Sequence, residues 1–218
     1  DAGRGKSKKG VTWHEAKQLF MHRNLWAVYL GQYCITALTY FFITWFPVYL
    51  IQGRGMTIME AGWVAALPAI CGFSGGILGG FLSDRLIARG VHPSRARKIP
   101  FIIGMMLSTM LVFANFVDAN SAVIFLMAMA FFGKGFAAVG WAVLSDIAPK
   151  NMIGLCGGVF NGIGNIAGII TPVVIGYVVA VTGSFNNALW FVAAHGILAV
   201  ISYLIVARQF ERVQVSTS

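Results

Sequence analysis

Acidic side chains are nearly missing from this sequence. Seven Asp and Glu stand among 218 residues, against sixteen Lys and Arg, and charge of either sign makes up 11% of the chain, where a water-soluble domain carries about 25%. Cysteine is also scarce. Cys34, Cys71 and Cys156 lie inside apolar runs without CxxC spacing, which excludes a disulfide framework or a cysteine metal site and leaves three small packing residues. No HExxH, no GxSxG and no paired carboxylates occur, so the chain offers no catalytic constellation and calls for no metal or cofactor. No ten-residue stretch alternates apolar with polar as a membrane β-barrel requires. No heptad or internal repeat stands out.

What is present is hydrophobic length. The chain is 58% hydrophobic with a mean hydropathy of +0.77, and about twenty mostly apolar residues suffice for one helix to cross a bilayer. Six such runs occur, at 25–51, 57–83, 100–117, 121–146, 152–181 and 187–207. Six helices apolar on all sides cannot face water. The fold class is therefore an all-α membrane protein, a six-transmembrane-helix bundle whose solvent is lipid. Residues 1–24 read as a polar lead-in with a short interfacial helix, where "TWHE" (Thr12 to Glu15) has capping-box spacing and Trp13, Ala16 and Phe20 share a face. Residues 208–218 form a tail.

Orientation follows from the basic residues. Six lie in the lead-in, five between Arg85 and Lys98, and Lys150, Arg208 and Arg212 fall on the same side, leaving Arg54 alone on the other and Lys134 within a span. Both termini are thus cytoplasmic. The net charge of +9 is accounted for by this bias and by contact of "RGKSKK" with lipid headgroups, so no nucleic-acid partner is needed.

Glycine supplies the packing signals. In "GFSGGILGG", Gly72, Gly76 and Gly80, and separately Gly75 and Gly79, recur every four residues, the spacing that lets helices approach closely in lipid. The run matches no P-loop and carries no lysine, so phosphate cradling is excluded. The fifth run holds several glycines around Pro172, which permits either a bend or close packing. Pro47 is expected to disturb the end of the first run.

Polar groups at membrane depth are the functional candidates. None is a carboxylate: Glu60, Asp84 and Asp146 lie at helix ends. Lys134 sits mid-run and needs an anion, which a bound substrate, carbonyls of a broken helix or a residue outside this chain could provide. Trp141 lies two turns further on the same face. Asn161 and Asn165 share a face of the fifth run, as hydroxyl-binding amides or as helix-to-helix glue. Gln32, Thr36 and Tyr40 form a polar stripe on the first run. Together they describe a site for a hydroxyl-rich anion. His195 stands alone and reads as a packing residue. A self-contained six-helix scaffold or homodimeric channel is the alternative reading, but a channel needs a continuous wet stripe and a scaffold has no use for Lys134.

"GGFLSDR" (Gly79 to Arg85), followed by "SRARK", resembles the GxxxDR loop motif of the major facilitator superfamily. "LGQYCITALTYFFITWFPVYL", "AFFGKGFAAVGWAVLSDIAPK" and "GLCGGVFNGIGNIAGIITPVVIGY" resemble the anion:cation symporter family, nearest to bacterial glucarate/galactarate-type permeases and more distantly to the galactonate transporter. The resemblance runs from about Val11 to Val213. It implies the carboxy-terminal half, helices seven to twelve, of a twelve-helix proton-coupled importer of sugar acids in the bacterial inner membrane. Its partners would be an amino-terminal six-helix half, the substrate and the bilayer, with the proton as coupling ion.

In galactonate transporters the tryptophan of helix ten and the asparagine of helix eleven contact substrate, and these match Trp141 and Asn161. Two hydroxyl residues before that tryptophan are Ala138 and Gly140 here, so those contacts do not carry over. The position of Lys134 is neutral in the galactonate transporter and lysine in the aldarate-type permeases, which makes Lys134 the expected counter-charge for a second carboxylate. Proton-carrying acids belong to the amino-terminal half in this family, in keeping with their absence from these spans. By the same resemblance Asp84 and Arg85 form a conformational latch at the cytoplasmic side, Asp84 meeting a helix end of the other half; a merely solvated loop charge is the alternative.

Overall fold

The computed structural model describes residues 13–207 and 209–214. A short helix α1 (Trp13–Phe20) precedes six spans. These are α2 (Arg23–Gly53), α3 (Ile58–Ala88), α4 (Pro93–Phe116), a fourth span Asn120–Ile147 made of α5 (Asn120–Phe136) and α6 (Gly140–Ile147), α7 (Ile153–Thr182) and α8 (Asn186–Val206). All are long and apolar enough to cross a membrane. Thr12 of the "TWHE" cap lies outside the described residues. Along α1, Trp13 and Phe20 are exposed while Leu19 is buried beside Tyr29, Leu155 and Cys156.

Helix ends differ from the apolar runs where the basic residues fall. The second span continues to Ala88 rather than 83, and the third begins at Pro93 rather than 100. The "SRARK" stretch is therefore helical. Pro93 is pre-set for a first helical position, and the His92 ring accepts from the Ser94 N–H at 3.3 Å. Long basic side chains extend such a helix beyond the hydrocarbon by reaching to the interface.

Pro47 sits between two π-helical segments, Phe41–Trp45 and Tyr49–Gly53. A wider turn relieves the clash of its ring with the preceding carbonyl, and the Thr44 hydroxyl donates to the Tyr40 carbonyl at 2.6 Å. Nearby, Trp45 Nε1 donates to the Pro172 carbonyl on α7 at 3.1 Å. α7 itself runs unbroken across Pro172. α3 starts at a complete capping box: the Glu60 N–H donates to Thr57 Oγ1 at 3.3 Å and the Thr57 N–H to Glu60 Oε2 at 2.9 Å.

The glycines of α3 decide how it meets the fourth span. A Cβ at Gly75 would strike the Phe132 carbonyl, at Gly79 the Phe136 carbonyl, and at Gly72 the Phe131 ring at 2.5 Å. From the other side, a Cβ at Gly135 would strike the Gly72 carbonyl, and Gly104 of α4 and Gly133 of α5 abut each other's carbonyls. Backbones this close gain dispersion and weak Cα–H···O contacts, the main sources of helix association where lipid is as apolar as the side chains. Gly80 meets nothing within 4 Å and Gly76 only the Gly135 carbonyl at 3.8 Å. The two interleaved repeats are thus unequal: Gly72, Gly75 and Gly79 form the seam.

After α8 the chain folds back across the basic end of the bundle. The Phe210 N–H donates to Ser94 Oγ at 2.8 Å and the Val213 N–H to the Ile147 carbonyl at 2.8 Å.

Candidate functional site

The polar stripe of α2 faces α7. Gln32, Thr36 and Tyr40 are half-buried, with Gln32 Nε2 donating to Thr36 Oγ1 at 3.4 Å. A Cβ at Gly164 would lie 3.1 Å from Thr36 Oγ1 and 3.2 Å from Gln32 Cγ, and one at Gly168 would lie 2.5 Å from the Tyr40 ring. Small residues on α7 therefore make room for the large polar ones on α2.

α6 completes this neighbourhood. A Cβ at Gly140 would stand 3.0 Å from the Phe160 ring and 3.7 Å from Gln32 Oε1. Trp141, 53% exposed, packs edge-on to buried Phe160 with ring centroids 4.7 Å apart. Its indole also covers Gly157. Asn161, next in sequence to Phe160, is exposed. Asn165 is exposed too, and its amide donates to the Asn161 carbonyl at 2.9 Å. The structure thus gathers Gln32, Trp141 and the Phe160–Asn161 turn, with Thr36 and Tyr40 further along the same α2–α7 seam.

Lys134 stands on the other side of a break in the fourth span. It occupies the last turn of α5, roughly 20 Å of helix from either end of the span at 1.5 Å per residue. Beyond it the ladder is interrupted: the Ala138 N–H turns to Gly135 and the Val139 N–H to Ala137, each at 2.8 Å. The half-buried Lys134 ammonium lies 4.7 Å from the Phe131 ring centroid, and Phe131 packs on Phe42 at 4.5 Å. Among the described residues no carbonyl or carboxylate bonds the ammonium.

Magnitudes show what that leaves open. A cation–π contact contributes about 0.5–2 kcal/mol, and the negative end of a half-helix about 0.3–1 kcal/mol. An unpaired ammonium removed from water costs several kcal/mol. Neither contact offsets that, so Lys134 requires an anion or a wet cavity.

At the basic end, Asp84 does not pair with Arg85. Arg97 Nη1 contacts Asp84 Oδ1 at 2.8 Å and Ser83 Oγ at 3.1 Å, while Arg97 Nε contacts Asp146 Oδ2 at 3.2 Å. The Arg97 side chain is 16% exposed and that of Asp84 72%. Arg85 instead lies over the Phe81 ring at 6.0 Å. Arg97 thus ties the ends of α3, α4 and α6. From sequence Arg97 is one basic residue among five between Arg85 and Lys98; the helical register from Pro93 is the signal that places it. Replacing Arg97 with Gln is expected to cost about 1 kcal/mol, because the mostly buried guanidinium holds two carboxylates that keep access to water. Arg85→Gln should cost far less. Thermal unfolding in detergent checks this: equal midpoints for the two variants would refute the linkage.

His195 is buried, stacked on Tyr33 and bonded through Nδ1 to the Phe191 carbonyl at 2.9 Å. That is a satisfied packing histidine. Among the described residues no group of three or more His, Cys, Asp or Glu could hold a metal ion.

Comparison with known proteins follows the same lines. The Major Facilitator Superfamily pattern matches residues 2–139. The probable galactarate/D-glucarate transporter GudP of Escherichia coli (strain K12) is 55% identical over 204 residues, 94% of this chain and 45% of its own. Its namesake in Bacillus subtilis (strain 168) is 54% identical, covering 98% of this chain and 47% of its own. The D-galactonate transporter of Escherichia coli O6:H1 is 40% identical over 90% of this chain and 45% of its own. This chain spans about half the length of these relatives. In fold it is similar to the Escherichia coli fucose:proton symporter FucP, with a TM-score of 0.69 at 19% identity over 93% of this chain and 47% of that one. The six spans, their glycine seams and these relatives agree: the chain is a multi-pass inner-membrane protein that belongs to the Major Facilitator Superfamily and is homologous to its galactarate/glucarate permeases.

Proposed function

We propose that this chain is the carboxy-terminal half of a proton-coupled symporter that imports sugar diacids of the glucarate and galactarate kind by alternating access. The observation that carries the reading is Lys134, a cation at mid-membrane with no anion of its own among the described residues. A dianionic substrate supplies that anion. One carboxylate meets Lys134, and the hydroxyls of the sugar chain meet Gln32, Thr36, Tyr40, Asn161 and Asn165, with the Trp141 indole covering an apolar face. The other carboxylate meets a basic group of the amino-terminal half. Asp84, with Arg97 and Arg85, belongs to the contact that holds one conformation closed at the cytoplasmic side. Proton-carrying acids are assigned to the amino-terminal half, since the spans here hold no carboxylate at depth. Relatives bearing the name probable galactarate/D-glucarate transporter, 50–55% identical across nearly all of this chain, support the substrate class.

The test is uptake of labelled glucarate into proteoliposomes by the full-length protein. Uptake should require an inward proton gradient and be competed by galactarate well and by galactonate and gluconate poorly. Uptake indifferent to the gradient, or competed equally by monoacids, would sink the proposal.

A further inference from the structure

At the basic end of the bundle the turn from α1 into α2 meets the end of α8. Arg23 Nε donates to the Val206 carbonyl at 2.5 Å and Arg23 Nη2 to the Ile205 carbonyl, closing the last turn of α8. Asn24 Nδ2 donates to the Gln209 carbonyl at 2.7 Å, which draws the following segment over the start of α2. Between these pieces lies a polar cavity of about 790 Å³. Its lining includes Arg23, Arg212 and Glu211, together with His22. The His22 Nδ1 is buried and has no hydrogen-bond partner among the described residues. Burial holds this imidazole below its ordinary pKa. At neutral pH the ring is therefore uncharged, with one N–H to donate.

Arg23, which lines this cavity, bonds the carbonyl of Val206, which lines a second one. It measures about 430 Å³ and is lined by Trp26, Leu30, Tyr33, Ile163 and Val206. α2 forms its floor, and α7 and α8 its walls. Trp26 is half exposed, and its indole N–H donates to the Phe20 carbonyl at 2.5 Å. From Trp26 to Tyr33 the floor extends about 10 Å along the helix. Exposed Trp13, Phe20 and Met21, with Lys17, stand on the adjoining α1 turn and suit the headgroup level.

We infer that these two cavities form one site for an anionic phospholipid, its phosphodiester between Arg23 and Arg212 and an acyl chain along Trp26, Leu30 and Tyr33. Charge and polarity change together along the site, as they do along the lipid: a guanidinium-rich mouth opens on a hydrocarbon floor. Arginine is suited to phosphate: Arg23 spends Nε and Nη2 on α8 and offers Nη1, Arg212 gives up only a long 3.4 Å contact from Nη2 to the Ser145 carbonyl, and two arginines against one Glu leave the mouth net positive. Membrane depth agrees as well, since the basic residues of the chain gather on this side and face the leaflet rich in anionic lipid. The site is separate from Lys134 and does not rest on the transport reading.

Native mass spectrometry of the full-length protein in detergent provides the test, with dioleoyl phosphatidylglycerol titrated against dioleoyl phosphatidylcholine. The two lipids share their chains and differ in headgroup charge. Phosphatidylglycerol should bind at least about fivefold more tightly. Arg212→Gln, which leaves the Arg23 closure of α8 intact, and Leu30→Trp, which fills the crevice, should each weaken it by a similar factor. Soluble glycerol 3-phosphate should not compete. Equal binding of the two lipids, indifference to both substitutions, or competition by glycerol 3-phosphate as strong as by the lipid would overturn the assignment.

Discussion

On the proposed function, Lys134→Gln is expected to raise the stability of the substrate-free protein and to abolish the preference for diacids over monoacids. The two effects have one cause. Among the described residues the ammonium has the Phe131 ring and the end of α5 beside it and no anion, and removing an uncompensated cation from low dielectric is favourable. In the proposed complex with a dianion the same ammonium makes a charge-assisted hydrogen bond, which contributes about 1.5–3 kcal/mol. Affinity for glucarate should then fall roughly 10- to 150-fold, while galactonate, with no second carboxylate to lose, stays within about threefold. Glutamine keeps the length and a donor, so the charge alone is tested. Thermal unfolding with and without each ligand reads both effects, because a ligand raises the midpoint in proportion to its binding. Should the substrate-free midpoint fall instead, Lys134 has a permanent acidic partner in the other half, and its assignment to substrate is wrong.

The second large effect is expected at Gly135. An alanine Cβ there would fall on the Gly72 carbonyl, which is backbone and cannot rotate away. α5 cannot retreat from α3 either, because Gly133 is pressed on Gly104 of α4 behind it. Gly135→Ala must therefore separate α3 from α5, at a cost of about 3 kcal/mol or more. Gly80→Ala, one helical face away with nothing within 4 Å, is the matched control and should be neutral. Yield and monodispersity after detergent extraction give the readout. A monodisperse Gly135→Ala protein with an unchanged unfolding midpoint would contradict the packing described.

Much of this architecture was legible in the sequence, for physical reasons that also mark its limits. Six spans follow from apolar length alone. The every-four glycine pattern indicated close helix packing, but in "GFSGGILGG" two registers were equally good. Only the partner helix distinguishes Gly75 and Gly79 from Gly76 and Gly80. Lys134 announced itself because a lone cation in lipid is expensive wherever it sits. The break that follows it did not: "FAAVG" contains no proline, and an interrupted ladder depends on the neighbours that accept the freed groups. Arg97 was hidden by composition, since a basic stretch beside an apolar run reads as a loop until the helix is seen to continue through it. The polar stripe of α2 was visible from spacing, whereas its seat against Gly164 and Gly168 was not.

The interruption at Ala137–Val139 divides one span between two allegiances. α5 is clamped backbone to backbone onto α3 and α4, so Lys134 travels with them. α6 leans through Gly140 and Trp141 on Phe160 and Gln32, and so belongs to α2 and α7. A load on the bundle that shears these two groups of helices would meet within three residues of chain. There it would alter the gap between an ammonium and an indole as a caliper's jaws open, one jaw fixed to each group.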